Sequence, residues 1–188
     1  MPTGVAIRDV REQLFAAAER VLRSAGVNAL TSRAVTTEAG VAKGVLHRHF
    51  ADFDAFLAEL VVNRIGWLAS RRDGLLARVG EGTVEGNLAE ALRDVFGSVA
   101  GAMLSLIISR DELRARLRAA GLPGIPMAAD AMKMITAYLA AERTAGRLDP
   151  DADVDSMALM LVGSSHLIAA AEEDDFERVV AAALRSSR

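Results

Sequence analysis

Cysteine is absent from the 188 residues, so disulfides, thiolate zinc sites and cysteine nucleophiles are excluded. Histidine is nearly so: only His47, His49 and His166 are present. The first two stand at i and i+2, which on a helix point apart and cannot share a metal ion. No Ser/His/acid order, phosphate loop or metal pair stands beside them, so no catalytic residue, metal or cofactor is expected. A helical enzyme remains only a remote alternative. Long apolar runs are missing too. The longest, Val99 to Ile108, is interrupted by Gly101 and Ser105 and falls well short of the ~20 residues that a bilayer span needs. Met1 to Ala6 lacks the charged start and apolar core of a secretory leader. The expectation is a cytoplasmic, soluble protein that does not engage a membrane.

Apolar residues make up 52% of the chain, with only four prolines and few β-branched runs, a composition that favours helix over strand. The expected class is all-α, with about nine helices read from apolar periodicity and punctuation. Ile7, Val10, Leu14, Ala18, Val21 and Leu22 recur at helical spacing, and Gly26 closes that helix. Thr31 caps the next, with Val35 and Ala39 facing inward. A short helix is expected from Lys43 to Phe50. Asp52 then caps a long one through Phe53, Phe56, Leu57, Leu60, Val61, Ile65 and Leu68 to about Val79. Gly80-Glu81-Gly82 breaks the pattern, and a single apolar helix is expected from Val84 to Ser109. Residues 111–120 form a short charged helix, and 121–126 the clearest loop. Pro126 opens a helix ending at Gly146, Asp153 one ending near Ala171, and the last runs from Asp174 to about Ser186.

Net charge is −3 overall but unevenly placed: residues 1–50 carry +3 and the remainder −6. A basic head on an acidic body suits a small nucleic-acid-binding domain joined to a regulatory one. The head also contains the most specific stretch of the chain, residues 31–56. A helix-sized segment ends at Ala39-Gly40-Val41, where Gly40 can take positive φ for a tight turn and Val41 can plug beneath it. The segment that follows, Lys43-Gly44-Val45-Leu46-His47-Arg48-His49, is cationic and rich in donors. That is the pattern of a helix-turn-helix.

From about Val10 to Leu60 the chain resembles the DNA-binding domain of the TetR family of transcriptional regulators. The likeness rests on Thr31, Val35, Ala39-Gly40-Val41 and His47-Arg48-His49-Phe50. Departures occur at Thr36, where the family has a small alanine, and at Ala42, where a serine usually caps the recognition helix. His47 replaces a tyrosine, and Phe53 a lysine that contacts phosphate. The resemblance implies three helices for DNA (residues 1–51) and a helical effector-binding and dimerisation domain (52–188). It implies a homodimer acting on double-stranded DNA at a near-palindromic operator, most simply as a repressor released by a small apolar effector. A regulator of the same fold that activates, or that answers to a protein partner, stays open.

Expected DNA contacts are Thr31, Ser32 and Arg33 at one helix start, and Lys43, Gly44, Val45, His47, Arg48 and His49 beyond the turn. Trp67, Phe96, Met103, Met134 and Tyr138 fall on segments 53–79, 84–109 and 126–145. Each is either packed core or part of an adaptable apolar effector pocket, and Gly97 and Gly101 mark close helix approach or room for a ligand. His166 is an interior residue, a ligand contact or an interface pair. Small residues at Gly163, Ser164 and Ser165 permit tight packing. With the resemblance they place a dimer interface on the last two helices, at Leu159, Gly163, Leu167, Phe176, Val180 and Leu184.

Overall fold

A computed structural model describes residues 4–185 except 98, 123 and 172. The side chain of Ile7, Pro123 of the expected loop, and Ser186 at the expected end of the last helix lie outside the described residues. Ten α-helices and one 3-10 turn account for the regular structure, with no strand among the described residues. They are α1 (Gly4–Ala25), α2 (Ser32–Glu38), α3 (Val45–His49), α4 (Phe53–Leu76), α5 (Val84–Phe96), α6 (Ala100–Ser109), α7 (Asp111–Ala119), α8 (Pro126–Thr144), α9 (Val154–Ala170) and α10 (Phe176–Arg185). Two compact units result: residues up to Val62 with Ala102–Gly124, and Asn63–Gly101 with the chain from Ile125 onward.

The caps read from the sequence are formed. The Thr31 hydroxyl accepts from the Ala34 amide at 3.1 Å, Asp52 Oδ1 from Ala55 at 2.7 Å, and Asp153 Oδ1 from Ser156 at 3.1 Å. Each satisfies a backbone donor that the first helical turn leaves open. One helix expected from Val84 to Ser109 is instead two. Apolar periodicity runs on through Val95, Phe96 and Val99, but Gly97 turns out of the helix with φ −53° and ψ 166°. A Cβ on Gly97 would sit 2.8 Å from the Arg93 carbonyl oxygen, so only glycine fits the break.

In the first unit α1 supplies Leu14, Phe15, Ala18 and Leu22 to a core completed by Val35, Leu46, Phe50, Phe56, Leu57 and Leu60. Phe15, Phe50 and Phe56 form a ring cluster with centroids 5.0–5.7 Å apart, and Phe53 stacks on Phe56 at 5.7 Å. Contacts of this kind add ~0.5–1.5 kcal/mol each to simple area burial.

In the second unit α8 packs along α9, and α10 packs against α5 and α9. Phe176 and Val180 turn into this core, while Arg93 of α5 reaches Asp174 at 2.8 Å and Glu177 at 2.5 Å. A buried polar network ties α8 to the α4–α5 connection. Glu142, 0% exposed, accepts from the Gly80 amide at 3.3 Å and lies 3.5 Å from Arg147. Asn87 Nδ2 donates to the Tyr138 hydroxyl at 2.8 Å and to the Glu81 carbonyl at 2.9 Å. Arg147 Nη2 donates to the Gly82 carbonyl at 2.7 Å. The Tyr138 O–H in turn serves Glu142. Burial, and then the Glu142 carboxylate, push the phenol up to about 12.

Removing one partner from such a network leaves the others buried and unmatched. Glu142→Ala is therefore expected to cost ~3 kcal/mol of unfolding free energy in urea. A loss under ~0.5 kcal/mol, the scale of an ordinary surface change, would show the network to be solvated. Tyr138 is the only tyrosine, so tyrosinate absorbance reports it alone. The folded state holds the phenol proton more tightly than the unfolded chain does. Its contribution to stability is thus complete below pH ~10 and is lost as pH rises towards about 12. Ionisation near 10 in the folded protein would contradict this.

Candidate nucleic-acid interface

A helix as short as α3 cannot hold its shape alone and has to be fixed by tertiary contacts. One residue within it and one just after it face inward: Leu46 is fully buried, and Phe50 sits edge-on to Phe56 at 5.0 Å. Arg11 of α1 closes the far end. Its Nη1 donates to the His49 carbonyl at 3.0 Å, its guanidinium lies 4.3 Å from the Phe50 ring centre, and it pairs with Glu59 of α4. At the other end the turn follows the expected geometry. Gly40 takes φ 67°, and the Val41 amide bonds the Thr36 carbonyl at 3.0 Å. Gln13 Nε2 caps the turn by donating to the Ala39 carbonyl at 2.8 Å. Arg20 to Glu38, at 2.6 Å, staples α1 to α2.

This frame leaves one face open. Thr31, Arg33, Lys43, Gly44, His47 and Arg48 are exposed, and Ser32, Val45 and His49 are half-buried. The side chains of Arg33, Lys43, His47 and Arg48 enter no ion pair among the described residues. Lys43 and Gly44 precede α3 instead of lying within it, which corrects the expected start at Lys43. Ala42 offers no side chain to cap a first turn, and the helix begins only at Val45, with Gly44 as an uncapped start. Thr36, one of the departures from the family pattern, is 2% exposed, and its hydroxyl bonds back to the Ser32 and Arg33 carbonyls at 2.9 and 3.1 Å. It is a satisfied interior residue. Phe53, another departure, stacks on Phe56 and lies 5.5 Å beneath the Arg110 guanidinium.

Chemically the open face pairs hydroxyl, guanidinium, ammonium and imidazole donors with a glycine that permits close backbone approach. Such a set reaches phosphates and guanine edges in a major groove. Arg11, Gln13 and Arg20 are the functional residues that sequence reasoning missed. Each supports the face from α1 through a long-range contact that no local spacing announces.

Residues 14–60 match the family of bacterial regulatory proteins, tetR family. Over this quarter of its length the chain is similar to TetR-family regulators. Ala39-Gly40-Val41 and the segment to Phe50, with the exposed basic face, fall inside that match. Solved structures share the fold along the whole chain. A TetR transcriptional regulator from Streptomyces coelicolor shares 25% identity, covering 95% of this chain and 98% of that one, with a TM-score of 0.65. NemR of E. coli in its reduced form is 17% identical over 94% and 96% of the two chains, with a TM-score of 0.66. FadR of Bacillus subtilis, in complex with stearoyl-CoA, is 18% identical over 93% and 95%, with a TM-score of 0.61. No curated protein sequence matches significantly.

The remaining expected site residues divide between the two units. Met103 belongs to the first and is fully buried there. In the second, Phe96 and Met134 are buried, and His166 packs edge-on to Phe96 at 4.7 Å with Nδ1 3.0 Å from the Val162 carbonyl. Tyr138 commits its hydroxyl to the Asn87–Glu142 network. Trp67 is half-buried, with the Arg64 and Arg71 guanidiniums 3.7 and 4.7 Å from its ring. Two surface hollows, of about 230 and 500 Å³, are lined by other and largely polar residues. On α9, Leu159 (59% exposed) and Leu167 (73%) flank an exposed Gly163. Leu184 is half-buried, and Phe176 and Val180 are buried within their own chain. The open part of the expected dimer face is therefore on α9, joined there by Met160.

Lys43→Ala and Arg48→Ala should each weaken DNA binding and lower the slope of log affinity against log salt by about one, because each removes a phosphate or base-edge cation. Melting temperature should stay put, since neither side chain supports the fold. Arg11→Ala should do the reverse, lowering the melting temperature first. Loss of folding in either of the first two variants would reassign that side chain to the scaffold.

Proposed function

We propose that this regulator is a homodimeric repressor that leaves its operator when a mainly apolar small molecule binds. The observation that carries the reading is the basic face of α2 and α3, framed by α1 and without ion-pair partners among the described residues. Within the proposal residues 1–51 hold DNA, and residues 52–188 dimerise and receive the effector. Two such faces in one dimer would read successive major grooves of a near-palindromic site. No catalytic role is assigned to any residue, and the place of action is the cytoplasm, where the DNA is.

The effector is proposed to contact Phe96, Met134 and His166 in the second unit. These are apolar or polarizable surfaces with one imidazole edge, and an unpaired ion among them would be too costly. The stearoyl-CoA complex of the Bacillus subtilis FadR structure supports a long apolar occupant as the first class to try. Any effector can shift the dimer only by binding one state more tightly than the other. A second reading, control by a protein partner or action as an activator, is favoured by the commitments of Trp67 and Tyr138, which leave fewer groups for a ligand.

Trp67 is the only tryptophan, so emission changes are local. Lipophilic compounds that release the DNA upstream of the protein's own gene should also perturb that emission, and Met134→Phe should blunt both responses. Compounds that bind without releasing DNA, or release that ignores Met134→Phe, would argue for the partner-controlled reading.

Dimerisation is proposed through the α9 face of Leu159, Met160, Gly163 and Leu167, with Leu184 on α10 beside it. Nothing lies within 4 Å of a Cβ built on Gly163, so its own fold tolerates a larger residue there. Gly163→Leu should therefore disturb only the dimer, by overpacking. Leu167→Asp should yield folded monomer by light scattering at micromolar concentration. A dimer unchanged by both substitutions would place the interface elsewhere.

A further inference from the structure

The helix α7 lies more than sixty residues beyond the recognition helix in sequence, yet it belongs to the same compact unit. Leu113 and Leu117, one turn apart, are buried in that unit. Two arginines beside this apolar seam reach the start of α4. Arg116 Nη2 donates to Asp52 Oδ2 at 2.8 Å, while Asp52 Oδ1 accepts from the Ala55 amide at 2.7 Å. Arg116 Nε also lies 3.6 Å from Glu112. Arg110 Nε is 3.4 Å from Asp54 Oδ1, an ion-pair separation without hydrogen-bond geometry, and its guanidinium covers Phe53. The two oxygens of Asp52 thus do different things. One caps α4, and the other ties that cap to α7.

Asp52 stands three residues after His49, the last residue of α3. With only Phe50 and Ala51 between, and Phe50 anchored in the ring cluster, a tilt of the α4 start is passed to α3 with little slack. The Asp52 and Arg116 side chains are 48% and 35% exposed. A pair so accessible contributes little to stability. Its value lies in direction: a cap held from two sides has one orientation.

We infer that Arg116, with Arg110 beside it, is a positioning residue for DNA binding, aligning the recognition helix through Asp52 without touching DNA. The inference rests on the reading of α3 as the DNA-contacting helix.

The test uses full-length protein and an operator fragment recovered by the wild type from genomic DNA. Affinity is measured by anisotropy across a salt series, with melting temperature alongside. Asp52→Asn is the decisive variant, because asparagine caps a helix as well as aspartate does but offers Arg116 no charge. Arg116→Ala and Asp52→Asn should each weaken binding several-fold, with the salt slope and melting temperature of the wild type. Arg116→Lys should recover most of the loss. The double variant should be no weaker than either single one, since both remove one link.

Unchanged affinity in Arg116→Ala overturns the inference. So does a salt slope lowered by about one, which would make Arg116 a phosphate contact. Additive losses, or a melting temperature that falls in step with affinity, overturn it too. Lys43→Ala separates the two levels. If it weakens binding while Arg116→Ala does not, only the positioning role falls; if it too is silent, the assignment of α3 falls as well.

Discussion

The exposed basic face depends on the contact of Phe15, Phe50 and Phe56. A five-residue helix has few internal hydrogen bonds to set against the entropy of fixing its backbone. It exists because Leu46 and Phe50 are buried at its base, and because α1 and α4 present rings to receive Phe50. Arg11 completes the fixture by serving the His49 carbonyl and the Phe50 ring face together. Take away the ring contact and the basic residues have nothing to be displayed on.

Charge in this protein has two separate uses. Arg20–Glu38, Arg93–Glu177 and Arg116–Asp52 join one helix to another near the surface, where water and salt leave each pair modest energy but real geometry. Arg33, Lys43 and Arg48 enter no ion pair among the described residues and lie on one face. An unmatched cation is cheap to keep in water and valuable beside phosphate, so its lack of an internal partner is consistent with an external one. Glu142 is the exception, a carboxylate withdrawn from water altogether. It is tolerable only because the Gly80 amide, the Tyr138 hydroxyl and Arg147 all serve it.

Local chemistry made much of the fold legible. Thr31, Asp52 and Asp153 announce helix starts because an oxygen at that position meets an open amide whatever the tertiary context. Gly40 announces a turn for an equally local reason. What stayed hidden was decided at a distance or by a single dihedral. The break at Gly97 is invisible to periodicity, since apolar residues continue on both sides of it. Tyr138 reads as an aromatic pocket lining, and nothing near it in sequence says that Asn87 and Glu142 take its hydroxyl. Phe176 and Val180 form a clean apolar stripe on α10. A stripe specifies that something covers it, but not whether the cover is the same chain or a second copy. Here α5 and α9 cover it. On α9 apolar residues occur all round the helix, so Leu161, Val162 and Ile168 can face the core while Leu159, Met160 and Leu167 remain outside.

The grouping of α6 and α7 with α1 to α3 follows from the same logic. A linear division near residue 51 is natural when only local punctuation is read, because the helix-turn-helix is the one segment with a dense motif. Yet the α4 start has two polar ends to satisfy, the open amides of its first turn and the carboxylates of Asp52 and Asp54. The amides are met locally by Asp52 itself. The carboxylates need cations, and the nearby sequence from Lys43 to Arg48 keeps its own on the open face. Arg110 and Arg116 supply them from α7. With the local cations left on the open face, distant ones steady the scaffold, and that division of labour joins a remote helix to the unit that carries α3.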